Sequence, residues 1–213
     1  MPLTQKNFHL ISLGCAKNTV DSDSMAQLLM QDHFAPTDEP AEAEVLIVNT
    51  CGFIGPAKDE SLQTLQNLAA EKKPGQVLIA AGCLTQRYGQ HVIEQVPGID
   101  GILGTRRWMD ILDVVSQLCD GKHPGPLYHL PDVADVGRDD AGTQRVNVQG
   151  GSAYLKVADG CRRPCAFCAI PLIKGIAVSR PMEAILTDAR LRPRSRHAQR
   201  SGNPARRVER RRP

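Results

Sequence analysis

The chain has 213 residues, of which 41% are hydrophobic, so it can hold one large domain or one ordinary domain and part of another. Its apolar runs are much shorter than the roughly 20 residues that a membrane span needs, and its first residues lack a secretory signal pattern. The net charge of +3 is unevenly distributed, since residues 186–213 contain ten Arg and two acidic residues while the rest is net acidic. These features favour a cytoplasmic protein over a membrane protein, an exported protein or a general nucleic-acid-binding protein.

The first half of the chain alternates between two kinds of apolar pattern. Short runs rich in Val, Ile and Leu predict buried strands, and the stretches between them have apolar residues three and four apart, which predicts helices. A last helix is predicted over residues 108–118. This alternation predicts an α/β fold with a parallel sheet covered on both faces, and we assign it to one domain over residues 1–120. The predicted strands are Phe8–Leu13, Val45–Val48, Val77–Ala81 and Ile99–Leu103.

The second half changes in composition twice. Residues 121–151 are rich in Gly, Pro and Asp, which predicts a linker. A strand over Ala153–Ala158 and a short helix over Pro181–Arg190 predict a second domain at residues 152–190. Residues 191–213 are rich in Arg and poor in apolar residues, which predicts a disordered tail. The tail is either a basic arm that contacts RNA or ribosomes, or a stretch translated out of frame, and the abrupt change favours the second explanation.

The most specific motif is a group of closely spaced cysteines. Cys161, Cys165 and Cys168 form a C-x3-C-x2-C pattern in a loop that follows a predicted strand. Three thiolates can hold three irons of a cubane cluster and leave the fourth iron open to an outside ligand. A structural zinc site needs four ligands, and His129 and His197 are each about thirty residues away. The motif therefore predicts an iron–sulfur cluster that binds a cofactor or substrate.

Three other cysteines occupy equivalent places in the predicted fold. Cys15, Cys51 and Cys83 each follow the carboxyl end of a predicted strand. In an open parallel sheet these ends lie along one edge, where ligand sites form, so the three thiols are predicted to converge. For any one of them alone, ordinary burial of a cysteine is the alternative explanation. Cys119, at the end of a predicted helix, is interpreted as structural.

The cysteine motifs resemble those of a known family. Cys-Arg-Arg-Pro-Cys-Ala-Phe-Cys at residues 161–168 resembles the radical S-adenosylmethionine (SAM) signature. Together the two triads resemble the radical SAM methylthiotransferase family, over residues 8 to about 186. The segments Ser-Leu-Gly-Cys-Ala-Lys-Asn at 12–18 and Asn-Thr-Cys-Gly-Phe-Ile at 49–54 favour the branch that modifies a ribosomal protein, the RimO type, over the tRNA-modifying branch.

The resemblance implies two 4Fe-4S clusters, one held by Cys161, Cys165 and Cys168 and an auxiliary one held by the other triad, Cys15, Cys51 and Cys83. It implies S-adenosyl-L-methionine as cofactor, with Phe167 near its adenine. The implied reaction adds a methylthio group to the β-carbon of an aspartate in the twelfth small-subunit ribosomal protein. The implied partners are that protein or the ribosome, and an electron donor such as flavodoxin or ferredoxin. Neither a membrane nor a nucleic acid is expected as a partner.

The sequence departs from the family pattern in two ways. Lys174 precedes Gly175, where the family more often has Arg. The family's radical SAM domain is a partial (βα) barrel of several repeats, and only its first strand, its cluster loop and one helix are predicted here. We therefore expect a truncated second domain that does not fold stably and an isolated chain that is inactive. A tRNA adenosine methylthiotransferase and a non-catalytic iron–sulfur carrier remain alternative functions.

Overall fold

A computed structural model describes residues 6–121, 124–149 and 152–190. Its first part is a six-stranded sheet in the order β2-β1-β3-β4-β5-β6, and every neighbouring pair of strands is parallel. The α/β fold with a parallel sheet is therefore confirmed. The elements are β1 (Asn7–Ser12), α1 (Ala16–Gln31), β2 (Ala35–Pro36), β3 (Val45–Thr50), α2 (Gly55–Glu71), β4 (Val77–Gly82), α3 (Cys83–Gln95), β5 (Gly101–Gly104), α4 (Ile111–Cys119) and β6 (Leu127–His129).

Helices cover both faces of this sheet. All six residues of β3 are buried, and successive side chains of a strand point to opposite faces. Val45 and Ile47 pack in a core with α1 and α4, whereas Leu46 and Val48 pack in a second core with α2 and α3. Burial on both faces explains why the strand sequences are continuous apolar runs rather than alternating ones.

Two predicted elements differ in the structure. The predicted helix over residues 108–118 is a 3-10 helix at Thr105–Asp110 followed by α4, whose buried side includes Ile111 and Val114. The predicted linker over residues 121–151 contains β6, which pairs with β5 and extends the sheet to His129. The short apolar run that begins at Leu127 is long enough to add an edge strand. Beyond these observations, the domain boundaries stay a prediction.

The second part consists of short elements. These are β7 (Val146–Gln149), β8 (Ser152–Leu155), β9 (Ala158–Asp159), α5 (Ile170–Lys174), β10 (Val178–Ser179) and α6 (Met182–Arg190). β7 pairs with β8 and β9 with β10, both antiparallel. The predicted strand Ala153–Ala158 is thus divided at Lys156, whose side chain is buried in an ionic cluster. The helix predicted at residues 181–190 is present as α6.

The predicted tail at residues 191–213 lies outside the described residues. In the parts of the chain that the structure describes, no helix is both long enough and apolar enough to cross a bilayer. Several large apolar side chains of the second part are exposed, as expected for a segment that covers little of its own apolar surface. They are Val157, Phe167, Leu172, Ile176, Met182 and Leu186.

Candidate functional site

The first cysteine triad lies at the carboxyl edge of the sheet. Cys15 directly precedes α1 and follows β1, Cys51 follows β3, and Cys83 is the first residue of α3 after β4. Because β1, β3 and β4 are neighbours in the sheet, the three cysteines lie along one edge, as predicted. Cys15 is exposed, Cys51 is buried and Cys83 is partly buried.

Two glycines let the cysteine-bearing loops approach one another. Gly14 has a φ of +87°, and a Cβ at this position would lie 2.6 Å from the Cβ and 2.8 Å from the Sγ of Cys51. At Gly52, a Cβ would lie 2.7 Å from the Cα of Leu84, in the first turn of α3. Real Cβ atoms do not come this close to other atoms, so both positions require glycine as the backbone stands.

The buried side chain of Asn18 hydrogen-bonds to residues beside or within the first triad on three segments of the chain. Its Nδ2 donates hydrogen bonds to the carbonyl oxygens of Leu13, at 3.0 Å, and of Thr50, at 2.9 Å. Its Oδ1 lies 3.5 Å from the Sγ of Cys83 and accepts a hydrogen bond from that thiol. One buried amide therefore links the ends of β1 and β3 to the cysteine that follows β4.

The Cys83 thiol is held in its protonated form by its surroundings. Burial raises its pKa to about 11, the Lys174 cation opposes this rise, and Asp21, Cys15 and Cys51 add to it. Metal binding at this thiol must therefore release a proton. Within residues 6–121, 124–149 and 152–190, no group of three or more His, Cys, Asp or Glu side chains is arranged to hold a metal ion. The fold brings the triad to one edge, but not into ligating geometry.

The second triad lies in the loop between β9 and α5. The Cys161 N–H donates to the carbonyl oxygen of Gly175 at 3.1 Å, and the Cys168 N–H donates to that of Cys165 at 3.1 Å. Cys165 is exposed and the other two thiols are partly buried. The Phe167 side chain is 92% exposed, so it does not serve as core packing. The loop thus leaves its thiols and one aromatic ring available to a ligand.

An open depression of about 460 Å³ adjoins this loop. Both triads offer thiols, whose thiolate forms are the soft ligands that iron–sulfur clusters use, and the second triad has no fourth Cys or His close by in the sequence. The type and number of donors in each triad, although not their geometry in this structure, therefore suit a cubane cluster with three protein ligands. The depression is lined by Cys161, Arg162, Arg163, Pro164, Pro171 and Ile176.

Comparison with known proteins finds one matching family model and several similar proteins. Residues 7–104 match the family described as "Uncharacterized protein family UPF0004". Three similar proteins are named ribosomal protein uS12 methylthiotransferase RimO. The one from Bdellovibrio bacteriovorus is 41% identical over 87% of this chain and 40% of its own length. Those from Desulforamulus reducens and Myxococcus xanthus are 42% and 38% identical, over 83% and 88% of this chain and 39% and 38% of their own lengths.

The chain is related to the RimO-type methylthiotransferases. The resemblance that its cysteine motifs predict is thereby confirmed, and the chain spans about two fifths of the length of these RimO relatives. The roles of the six cysteines and of Phe167 stay predictions.

The buried polar groups beside the first triad were not predicted from the sequence. Asn18 and Asp21 lie in the same stretch as Cys15, and their polar character inside an apolar helix pattern is a signal that could have found them. Lys174 stood out in the sequence only as a departure from the family pattern. In the structure it is buried next to Asp21.

Proposed function

We propose that this chain is the part of a radical SAM enzyme that carries its two iron–sulfur sites. In this proposal the enzyme adds a methylthio group to the β-carbon of an aspartate of ribosomal protein uS12. The observation that carries the proposal is the presence of two separate cysteine triads, one on the sheet edge and one in the β9–α5 loop, in a relative of RimO-named proteins.

The second triad is assigned to SAM. Cys161, Cys165 and Cys168 would hold a 4Fe-4S cluster, which would supply the binding site and the electron for the reductive cleavage of SAM. The adjoining depression is the proposed place of the cofactor. The exposed ring of Phe167 offers a surface against which the adenine can stack.

The first triad is assigned to the sulfur that is transferred. Cys15, Cys51 and Cys83 hold the auxiliary 4Fe-4S cluster, and the glycine-permitted approach of their loops supports a compact site. With three cysteine ligands from the chain, the cluster would keep one iron that could carry the sulfur to be transferred. The proposed partners are uS12 or the ribosome and a reductant such as flavodoxin or ferredoxin, in the cytoplasm.

The test compares matched triple variants of the full chain. The chain and the variants Cys161→Ala/Cys165→Ala/Cys168→Ala and Cys15→Ala/Cys51→Ala/Cys83→Ala are reconstituted with iron and sulfide without oxygen and then reduced. SAM is added and the electron paramagnetic resonance spectrum is recorded. We expect SAM to change the signal of the intact chain and of the first-triad variant, but not that of the second-triad variant.

A non-catalytic iron–sulfur carrier predicts a different result. Its cluster would lie on the sheet edge, and SAM would leave the spectrum of every protein unchanged. A SAM-induced change that persists without Cys161, Cys165 and Cys168 would contradict the assignment of the second triad.

A further inference from the structure

A buried ionic cluster joins the sheet domain to the segment that carries the second triad. Asp21, in α1, is only 2% exposed. Its Oδ1 lies 2.5 Å from Lys156 Nζ, its Oδ2 lies 2.8 Å from Lys174 Nζ, and it also accepts a hydrogen bond from Arg145. Asp159 adds a second carboxylate, 2.9 Å from Lys156 Nζ. All three cations come from the part of the chain that follows β6.

The charges of this cluster depend on one another. Buried ions are tolerated only when they are paired, because each loses its hydration. Burial alone raises the pKa of Asp21, yet the cations of Lys156, Lys174 and Arg145 hold that pKa well below its ordinary value. Asp21 is therefore ionised when the segment is docked. Without the segment's three cations it would be an uncompensated buried charge, or would have to become hydrated.

Arg145 also contacts an aromatic ring of the sheet domain. Its guanidinium carbon lies 3.9 Å from the centre of the Trp108 ring, and its main-chain N–H donates to Asp188 at 3.0 Å. Trp108 and Arg145 are each 3% exposed. The cluster thus combines ion pairing with a desolvated cation–π contact, and both favour a single docked geometry.

Lys174 connects this cluster to both cysteine sites. It ends α5, the short helix that begins two residues after Cys168. Its Nζ lies 2.5 Å from the Oγ1 of Thr105, which follows β5 at the same sheet edge as Cys83. α5 also packs against α3, whose first residue is Cys83. The ammonium group therefore lies between the loop of the second triad and the edge that carries the first.

We propose that Asp21, Arg145, Lys156 and Lys174 form an ionic clamp that fixes the second cysteine loop relative to the first triad. In this arrangement Lys174 is the positioning residue at the sheet edge. The role of the clamp rests on the proposed function. In that function the sulfur from the first site and the radical formed at the second site must reach the same substrate carbon, so the two sites need a fixed relative position. The clamp itself is a property of the metal-free chain and is tested without iron.

The first test is hydrogen exchange on the metal-free full-length chain. Asp21→Asn leaves the three buried cations with Asp159 as the one remaining carboxylate within 4 Å of all of them. We therefore expect peptides from residues 146–149 and 152–190 to exchange at least about tenfold faster. Peptides from β3 and β4 should keep their protection. The milder variant Lys174→Met should give the same pattern more weakly. Asp59→Asn, on an exposed position of α2, is the matched control and should change neither region.

Two outcomes of this test overturn the clamp. One is unchanged protection of residues 152–190 in both Asp21→Asn and Lys174→Met. The other is an equal loss of protection in the sheet and in the segment for both variants, because the cluster would then serve core stability rather than docking.

The second test asks whether Lys174 acts at the first triad. In a background with Cys161, Cys165 and Cys168 replaced by Ala, only the sheet-edge site can hold iron. There Lys174→Met should release iron to a chelator about tenfold faster, and Lys174→Arg should restore retention, since groups around a metal site typically change affinity by about 10–100-fold. Lys72→Met, which breaks the 2.6 Å pair with Asp100 at the opposite edge, is the control.

The outcomes separate the two proposals. A chain that takes up no iron at the first triad would contradict the proposed function, and hydrogen exchange would then decide the clamp alone. A chain that takes up iron but releases it equally fast with Met, Arg or Lys at position 174 would overturn the positioning role of Lys174.

Discussion

The two cysteine triads are built in different ways. Cys161, Cys165 and Cys168 lie within one loop, so their proximity follows from the chain itself. The first triad is spread over 69 residues, from Cys15 to Cys83, and comes together only because β1, β3 and β4 are neighbours in a parallel sheet. The triad within one loop can therefore be recognised from sequence spacing alone. The triad spread over three strands can be predicted only as well as the fold itself.

The surroundings of the triads differ as well. Two of the three strands that lead to the first triad, β3 and β4, are almost wholly buried, and Asn18 hydrogen-bonds to the ends of β1 and β3. The segment around the second triad leaves large apolar side chains exposed and is held to the sheet domain by buried charges. We therefore expect the first site to depend on packing and the second on the ionic cluster.

The largest effect is expected at Asp21. Its replacement by Asn should lower the free energy of unfolding by about 3–5 kcal/mol, the range found when one partner of a buried ion pair is removed. Urea denaturation, followed by circular dichroism, measures the change. The exposed Asp59→Asn should stay within about 0.5 kcal/mol of the unmodified chain. Equal stabilities of the two variants would contradict the contrast between the regions.

The contribution of Asp21 should also depend on pH. The three cations hold its pKa below that of the unfolded chain, about 3.9, so its stabilisation is fully present above that value and is lost progressively as pH falls from there towards the lower pKa of the folded chain. The difference in unfolding free energy between the unmodified chain and Asp21→Asn should therefore be large at about pH 7 and narrow below about pH 4. A difference that stays constant over this range would show that the carboxylate charge is not responsible.

Gly14 tests the dependence of the first site on packing. Gly14→Ala places a methyl group 2.6 Å from the Cβ of Cys51, and overpacking of this kind costs about 1–3 kcal/mol. Gly75→Ala is a matched control, because Gly75 has a φ of +89° but open space where the added methyl would lie. We expect Gly14→Ala to be the less stable variant by about 1–3 kcal/mol and to lose iron from the sheet-edge site alone. Identical iron contents in the two variants would show that this site does not depend on the close approach at Gly14.

The smallest effect on stability is expected at Phe167. Because this side chain is 92% exposed, Phe167→Ala should change the free energy of unfolding by less than about 0.5 kcal/mol. It should weaken SAM binding by roughly tenfold, if an adenine stacks on the ring. Anaerobic calorimetric titration of the reconstituted chain measures the affinity. Phe53→Ala, near Cys51, is the control, and an equal loss of affinity there would contradict the assigned role of Phe167.

Much of the fold followed from periodicity. The four predicted strands and the helices between them are present. The strands could be predicted because central parallel strands are buried on both faces and therefore have continuous apolar sequences. β6 was hidden in the predicted linker, since a three-residue edge strand flanked by Pro and Gly gives almost no signal. The break in the strand predicted at residues 153–158 could not be predicted from the local sequence. Lys156, where the strand breaks, is buried against Asp21, which lies more than a hundred residues earlier in the chain.

The candidate site was predictable to a similar degree. The six cysteines were found from motif spacing and from their positions after strands, and the structure places five of them in loops and Cys83 at the start of α3. The ionic cluster was not found, because no local pattern pairs an Asp in α1 with cations in the second part of the chain. Long-range charge pairing of this kind becomes visible only when the two segments are docked.

Iron stoichiometry after anaerobic reconstitution shows most directly whether the chain holds two separate iron–sulfur sites. We expect about eight iron atoms per chain, about four in each triple variant and almost none when both triads are replaced. About four iron atoms in the intact chain, unaffected by replacing either Cys15, Cys51 and Cys83 or Cys161, Cys165 and Cys168, would contradict the presence of two sites.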